Sequence, residues 1–405
     1  MKQFEVPEFY RSPIISKVKT KRRLEDPRKK DFTPTEISFG KVTFLIPRHF
    51  GFCYGVENAI EKSYRAIQEN PEKRIFLLSQ MIHNPDVNID LQSYGLQFLQ
   101  DTEGNQLIPF ETLTTDDIVI IPAFGTTLEI EKRLREIGVN IDSYNTTCPF
   151  VEKVWNRSEK LGETKHTIII HGKAKHEETR ATFSHSSSNS AALVIKDLKE
   201  AKFLGEVILG SKSTKDFLTF FEGKMSPEFD PTLHLSKIGV VNQTTMLATE
   251  TQEIADYMRN IMLQKYGEVN IKSHIADTRD TLCYATNDNQ SATYGLLETE
   301  ADLAVVVGGY NSSNTSHLVE LLEEKFPTFY IKNQGEILSK SKINSFDIHS
   351  SKIISQTSFI PEKENVRIII SSGASCPDAL VDGVLHKIIS IIDPSLDSAE
   401  LLNQI

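Results

Sequence analysis

Cysteine is scarce in this chain: four in 405 residues, with no two close enough in sequence to make a short-spaced pair. That excludes the disulfide framework of a small secreted domain. It argues for a reducing compartment, where thiols stay available for metal or catalysis. Long apolar runs are missing as well. No stretch reaches the roughly eighteen apolar residues of a membrane span, and none has the apolar core of a secretory signal. A cytoplasmic protein with no membrane partner is expected. What is present, 39% hydrophobic and 25% charged residues, is globular material long enough for two or three domains.

Positive charge is also in short supply, except at one end. The formal net charge is −10, yet residues 1–30 hold ten Lys or Arg against four Asp or Glu, which leaves the remainder at −16. The basic run, Lys17-Val-Lys-Thr-Lys-Arg-Arg23 followed by Arg28-Lys-Lys30, could be a nucleic-acid arm, a docking arm or a targeting peptide. It lacks aromatic–basic interleaving and is not Ser-rich, so no nucleic-acid partner is expected and targeting is disfavoured. The favoured reading is a solvated extension lying on the acidic body.

Along the body, short β-rich runs alternate with polar turns and helical patterns. Residues 41–47 (KVTFLIP), 75–78, 118–123 (IVIIPA), 167–171 (TIIIH), 238–241, 302–307 (DLAVVV) and 366–370 (VRIII) read as strands. They are apolar without alternation and separated by helices, which predicts α/β architecture with parallel sheets covered on both faces. Residues 203–236, rich in Phe with Gly, Pro and Lys interspersed, fit the pattern poorly and read as an inserted surface elaboration.

Three cysteines stand out because each opens a helix directly after an apolar run or a turn: Cys53 in GFCYGV, Cys148 in TTCPFV and Cys283 in TLCYAT. A helix N-terminus favours the thiolate. The three lie 95 and 135 residues apart, so only tertiary folding could bring them together. Three thiolates at one point need a cation or a metal cluster. Structural zinc takes about four ligands, usually in short-spaced pairs, and that spacing is absent. An iron–sulfur cluster held by three thiolates would leave one iron open to substrate. For any single cysteine the plain alternative is a small buried hydrophobe, and Cys376 is left with it.

Nearly every unusual polar motif follows a strand, where parallel sheets bind ligands and helix N-termini suit phosphate. In Gly308-Gly-Tyr-Asn-Ser-Ser-Asn-Thr315, two glycines allow close backbone approach and the run of Ser and Asn supplies donors beyond the needs of a single helix cap. Ser371-Ser-Gly-Ala-Ser375 repeats the logic. His83 and His176 also stand at strand ends and could donate to a diphosphate. Glu178, two residues beyond His176, could be a general acid if its pKa is raised, or simply a first-turn carboxylate that complements the helix dipole.

These motifs together resemble the 4-hydroxy-3-methylbut-2-enyl diphosphate reductase family, in its long plant and cyanobacterial form. The segments that carry the resemblance are GFCYGVENAI, IHNPDV, TTCPFVEKV, HEET, NQTT, TLCYATNDNQ, GGYNSSNTSHL and SSGASCPD, spread over residues 41–385. The resemblance implies three small parallel-sheet α/β lobes in a trefoil around a central 4Fe-4S cluster held by Cys53, Cys148 and Cys283. The corresponding segments are a basic extension at 1–37, then lobes at 38–147, 148–282 (with the insertion) and 283–405. It implies that the substrate's hydroxyl binds the open iron, that Glu178 donates a proton and that Thr244 orients hydroxyl and proton relay. The diphosphate would be held by His83, His176, Ser312, Asn314 and Ser375, with Ser313 close by. Reductive dehydroxylation would give isopentenyl and dimethylallyl diphosphates, with electrons from ferredoxin or flavodoxin; a homodimer is admitted but not required. One departure stands out: much of the bacterial family has Ala-His-Gly where this chain reads Ala123-Phe-Gly125. Two other readings remain, a non-redox hydratase with a similar cluster and a cluster-bearing sensor or electron carrier.

Overall fold

A computed structural model describes residues 5–276 and 281–395. The chain forms two compact units, both assembled from separated segments. The first comprises Met1–Glu57, Ile82–Asp90 and Tyr284–Ile405; the second comprises Asn58–Met81 and Leu91–Cys283.

The first unit is built on a five-stranded sheet ordered Thr35–Phe39, Val42–Ile46, Val366–Ser372, Leu303–Val307, Thr328–Ile331. All neighbours are parallel except the first pair, an antiparallel hairpin turned at Gly40, whose φ is +54°. The absence of polar–apolar alternation has a direct cause. Val42, Phe44, Val305 and Ile368 face one core, with Ile15 and Val384 from two helices. Their neighbours Leu45, Ala304, Val306 and Ile369 face a second core, with Leu296 and Leu318. A three-stranded antiparallel sheet, Ile337–Ser339, Lys342–Asp347 and Lys352–Thr357, belongs to this unit and has no counterpart among the expected strands. Strand Val42–Ile46, assigned above to the first lobe, pairs with Val366–Ser372 from the third, so the sheets do not follow consecutive stretches of chain.

The second unit carries two parallel three-stranded sheets: Gln97–Phe98, Ile75–Leu77, Ile118–Ile120, and Ala192–Ile195, Thr167–His171, Ile238–Asn242. The expected α/β class with several small parallel sheets is therefore present.

Two expectations need correction. Residues 203–236 are not a surface elaboration. Phe217, Phe221 and Phe229 are buried in one cluster with Ile169, Leu193 and Met258, because Phe217 and Phe221 lie one helical turn apart and present one apolar face. Nor is the basic extension simply solvated. Residues Pro13–Glu25 form a helix that starts on a Ser12 cap and buries Ile14, Ile15 and Val18 against the five-stranded sheet, while its charged side stays in water.

Candidate active site

In the first unit four motifs converge on Ala374 and Ser375. The Ala374 N–H donates to Asn314 Oδ1 at 2.9 Å, and the Ala374 carbonyl accepts from the Cys53 N–H at 3.2 Å. Ser375 Oγ donates to the His83 carbonyl at 3.1 Å. Gly309 completes the junction, since a Cβ there would stand 2.2 Å from the same carbonyl oxygen. Hence Cys53, His83, Ser312, Ser313, Asn314 and Ser375 share one region of this unit.

Within the Ser-Asn run, capping accounts for one residue and not for another. Ser312 is the cap of helix Ser313–Glu323, accepting from the Thr315 N–H. Asn314 is different. Its Oδ1 is taken by Ala374 and by Asn289 Nδ2 at 3.3 Å, so its buried Nδ2 faces the other way and has no hydrogen-bond partner among the described residues. The Ser371 hydroxyl and His317 Nε2 are buried in the same condition among the described residues. Buried donors in this state are costly unless a ligand satisfies them. Asn289 and His317 were not singled out from sequence. Asn289 lies in TNDNQ and His317 in NSSNTSHL, so the signal was membership of a motif rather than chemistry of its own.

In the second unit Thr244 is the junction. Its carbonyl accepts from the Cys283 N–H at 3.1 Å. Its own N–H donates to Glu178 Oε1, and its hydroxyl to Glu178 Oε2 at 3.0 Å. Glu178 is 1% exposed, and burial pushes its carboxyl up to about 7 against the opposing pull of the two Thr244 bonds. Next to it, His176 caps the helix Glu177–Ser187: Nδ1 accepts from the Glu178 N–H at 3.2 Å, which puts the ring proton on Nε2. Gln243 fastens the two turns together, its Oε1 accepting from the Lys173 N–H and from Thr179 Oγ1. That role was not read from NQTT. Phe124 has a place too. Its ring meets the His176 imidazole edge-on, centroids 5.7 Å apart. The turn behind it is fixed by Gly125, where φ is +73° and a Cβ would stand 2.4 Å from Trp155.

The three cysteines are built alike. Each donates its N–H to a carbonyl just beyond a strand: Cys53 to Ala374, Cys148 to Ala123 and Cys283 to Thr244. All three are outside any disulfide and partly exposed, whereas Cys376 is fully buried with its thiol on the Pro377 carbonyl. The helix N-terminus does not by itself make Cys148 a thiolate. Burial pushes its thiol up to about 11, outweighing the bonds from the Phe150 and Val151 N–H groups, and Cys283 and Glu178 nearby raise it further. Among the described residues no group of three or more His, Cys, Asp or Glu is set to hold a single metal ion.

Residues 44–389 match the family model described as LytB protein. The chain belongs to the LytB protein family. Among its relatives, a 4-hydroxy-3-methylbut-2-enyl diphosphate reductase from Synechococcus sp. (strain WH7803) is 39% identical over 356 residues, covering 88% of this chain and 87% of that one. One of the same description from Prochlorococcus marinus subsp. pastoris is 37% identical over 385 residues, covering 95% and 92%. Both belong to the cyanobacterial side of the resemblance. Two solved structures share the LytB fold. One, described as the terminal enzyme of the non-mevalonate pathway, aligns with a TM-score of 0.52 at 22% identity over 86% of this chain and 99% of that one. The other, a reductase from Plasmodium falciparum, aligns with a TM-score of 0.60 at 19% identity over 88% and 89%. The match to the LytB family spans both units, so both constellations lie inside it.

Proposed function

We propose that this chain reduces 4-hydroxy-3-methylbut-2-enyl diphosphate to isopentenyl and dimethylallyl diphosphates. The observation that carries the reading is Glu178, a buried carboxyl held by Thr244 beside Cys283 and the cap His176. Two electrons and two protons release the allylic hydroxyl as water and form one new carbon–hydrogen bond, at the carbon that bore the hydroxyl for dimethylallyl diphosphate or at the far end of the allylic unit, with the double bond shifted, for isopentenyl diphosphate.

Cys53, Cys148 and Cys283 would hold the 4Fe-4S cluster. The donor set fits it: three partly exposed thiols, built alike, one of which stays protonated unless a cation compensates for its burial. When bound, such a cluster supplies electrons one at a time and a Lewis-acidic iron. The residues of the chain supply the rest. Glu178, pushed up to about 7, is protonated in a substantial fraction of molecules at neutral pH and can give that proton to a departing hydroxyl. Thr244 fixes both carboxyl oxygens and so sets the direction of that transfer. His176 Nε2–H in the second unit and Asn314 Nδ2–H in the first would be donors for the diphosphate, as would His83, Ser312, Ser313 and Ser375, which share the region of Asn314. Phe124 cannot donate to phosphate; it packs on His176 instead and steadies that donor.

Anaerobic turnover of the reconstituted protein with the allylic diphosphate, with and without dithionite, tests the reading. Both five-carbon diphosphates should appear only with reductant. Reductant-independent turnover would favour a hydratase, and protein purified without iron, sulfide or visible absorbance would overturn the cluster.

A further inference from the structure

The basic extension is locked onto the loop that presents Cys53. The Lys19–Asp378 ion pair, 2.7 Å long, lies over Gly51, where a Cβ would meet both side chains. Lys19 Nζ also sits 4.6 Å above the Phe50 ring, and Tyr10 stands edge-on to Phe52 at 5.9 Å. Lys19, Phe50, Gly51, Phe52 and Asp378 wall a cavity of about 380 Å³ whose lining also includes Cys53, Tyr54, Arg23, Lys29 and Arg48.

The charges around that cavity are unequal in kind. Of its acids, Asp378 is paired with Lys19 and Glu57 is pushed up by burial, whereas the His49 imidazole, 3.9 Å from Asp288, is pushed toward its neutral form by burial. Of the bases, Arg48 is paired with Asp26. Arg23 and Lys29 at the rim, with Lys21, Arg28 and Lys30 beyond it, are exposed and in no ion pair among the described residues. This collar is the concentrated positive patch of a chain whose remainder is at −16. A body of that net charge disfavours an acidic protein on balance, and the collar concentrates the opposite sign.

We propose that this collar docks the acidic one-electron carrier protein that feeds the site. The inference rests on the reading that Cys53 holds the cluster. Electron transfer falls steeply with distance, so a carrier must dock beside a ligand; the cavity admits an acidic side chain of the carrier up to the Cys53 loop. Each encounter reduces the acceptor by one electron and oxidises the carrier by one, and two encounters complete a turnover.

The test uses the cluster-loaded full chain carrying Arg23→Glu, Arg28→Glu and Lys29→Glu together. Turnover is driven in parallel by photoreduced plant-type ferredoxin and by dithionite with methyl viologen, and ferredoxin binding is titrated separately. The proposal expects ferredoxin-driven kcat/KM to fall by about tenfold or more, its salt dependence to flatten and binding to weaken, while viologen-driven turnover is kept. A charge-preserving variant, Arg23→Lys with Arg28→Lys and Lys29→Arg, should behave as wild type. Unchanged ferredoxin binding and turnover in the reversed variant would overturn it, as would an equal loss with both donors. Absence of turnover in the wild-type chain with viologen would instead overturn the reductase reading, and the binding titration would still decide the collar.

Discussion

Glu177 and Glu178 are neighbours in the chain with different partners and different consequences. Glu178 is held by Thr244; Glu177 accepts from Ser79 Oγ. Burial pushes both up to about 7. For Glu178 the consequence is activity. Glu178→Gln keeps the shape and most hydrogen bonds but removes the proton, so turnover should fall by about 10²–10⁴-fold while the visible absorbance of the cluster stays. In the wild-type chain the protonated form is the donor, so kcat should decline as pH rises through about 7. A rate that is flat from pH of about 6 to about 9, or a variant that turns over normally, would remove Glu178 from the proton path. For Glu177 the consequence is stability. The folded chain keeps this proton up to about 7, whereas an unfolded chain releases it near the ordinary 4.5. Stability therefore falls as pH rises between those values and stays low above them. Glu177→Gln keeps the acceptor for Ser79 and lacks the charge. It should raise the Tm at about pH 8, by up to roughly 3 kcal/mol in stability, and do nothing near pH 4. Equal effects at both pH values would mean that burial of charge is not the cause.

At the scale of elements, what could be read from sequence was what burial dictates. The strands 41–47, 302–307 and 366–370 were legible because buried parallel strands show continuous apolar runs, and the turns after them because polar residues collect where ligands and caps are needed. The hairpin strand Thr35–Phe39 and the strands Lys342–Asp347 and Lys352–Thr357 were not, since the first two are half exposed, the third is almost wholly exposed, and their pairing is set by turns. The region 203–236 was misread for a related reason. Its phenylalanines come from the turn and short helices around Thr214–Phe220, too short to display a period, yet Phe217 and Phe221 are fully buried. Phe221→Ala should therefore cost about 3–5 kcal/mol, read as a lower urea midpoint at unchanged slope. A cost below about 0.5 kcal/mol would restore the surface reading. The individual site residues divide in the same way. Cys148, Cys283, His176 and Glu178 carry recognisable chemistry, whereas Gln243 and Asn289 act through hydrogen bonds that only folding reveals.

At the scale of the whole molecule, the cysteines are distributed unequally: Cys53 belongs to one compact unit, Cys148 and Cys283 to the other. On the proposed reading, a group bound by all three would belong to the folded state of both units, because unfolding either would remove a ligand. Its binding free energy is then folding free energy for each. Removing the cluster by anaerobic chelation should lower the Tm of the entire chain. Cys53→Ser and Cys148→Ser should each bring the melt down to the same cluster-free value with parallel loss of iron. Cys376→Ser is the control: that sulfur is wholly buried and bonded to the Pro377 carbonyl, so the variant should keep its iron whatever it does to packing. If Cys53→Ser kept the iron while Cys148→Ser lost it, the group would belong to the second unit alone. The collar around Cys53 would then have no acceptor beside it, and the docking proposal would fall together with the three-ligand reading.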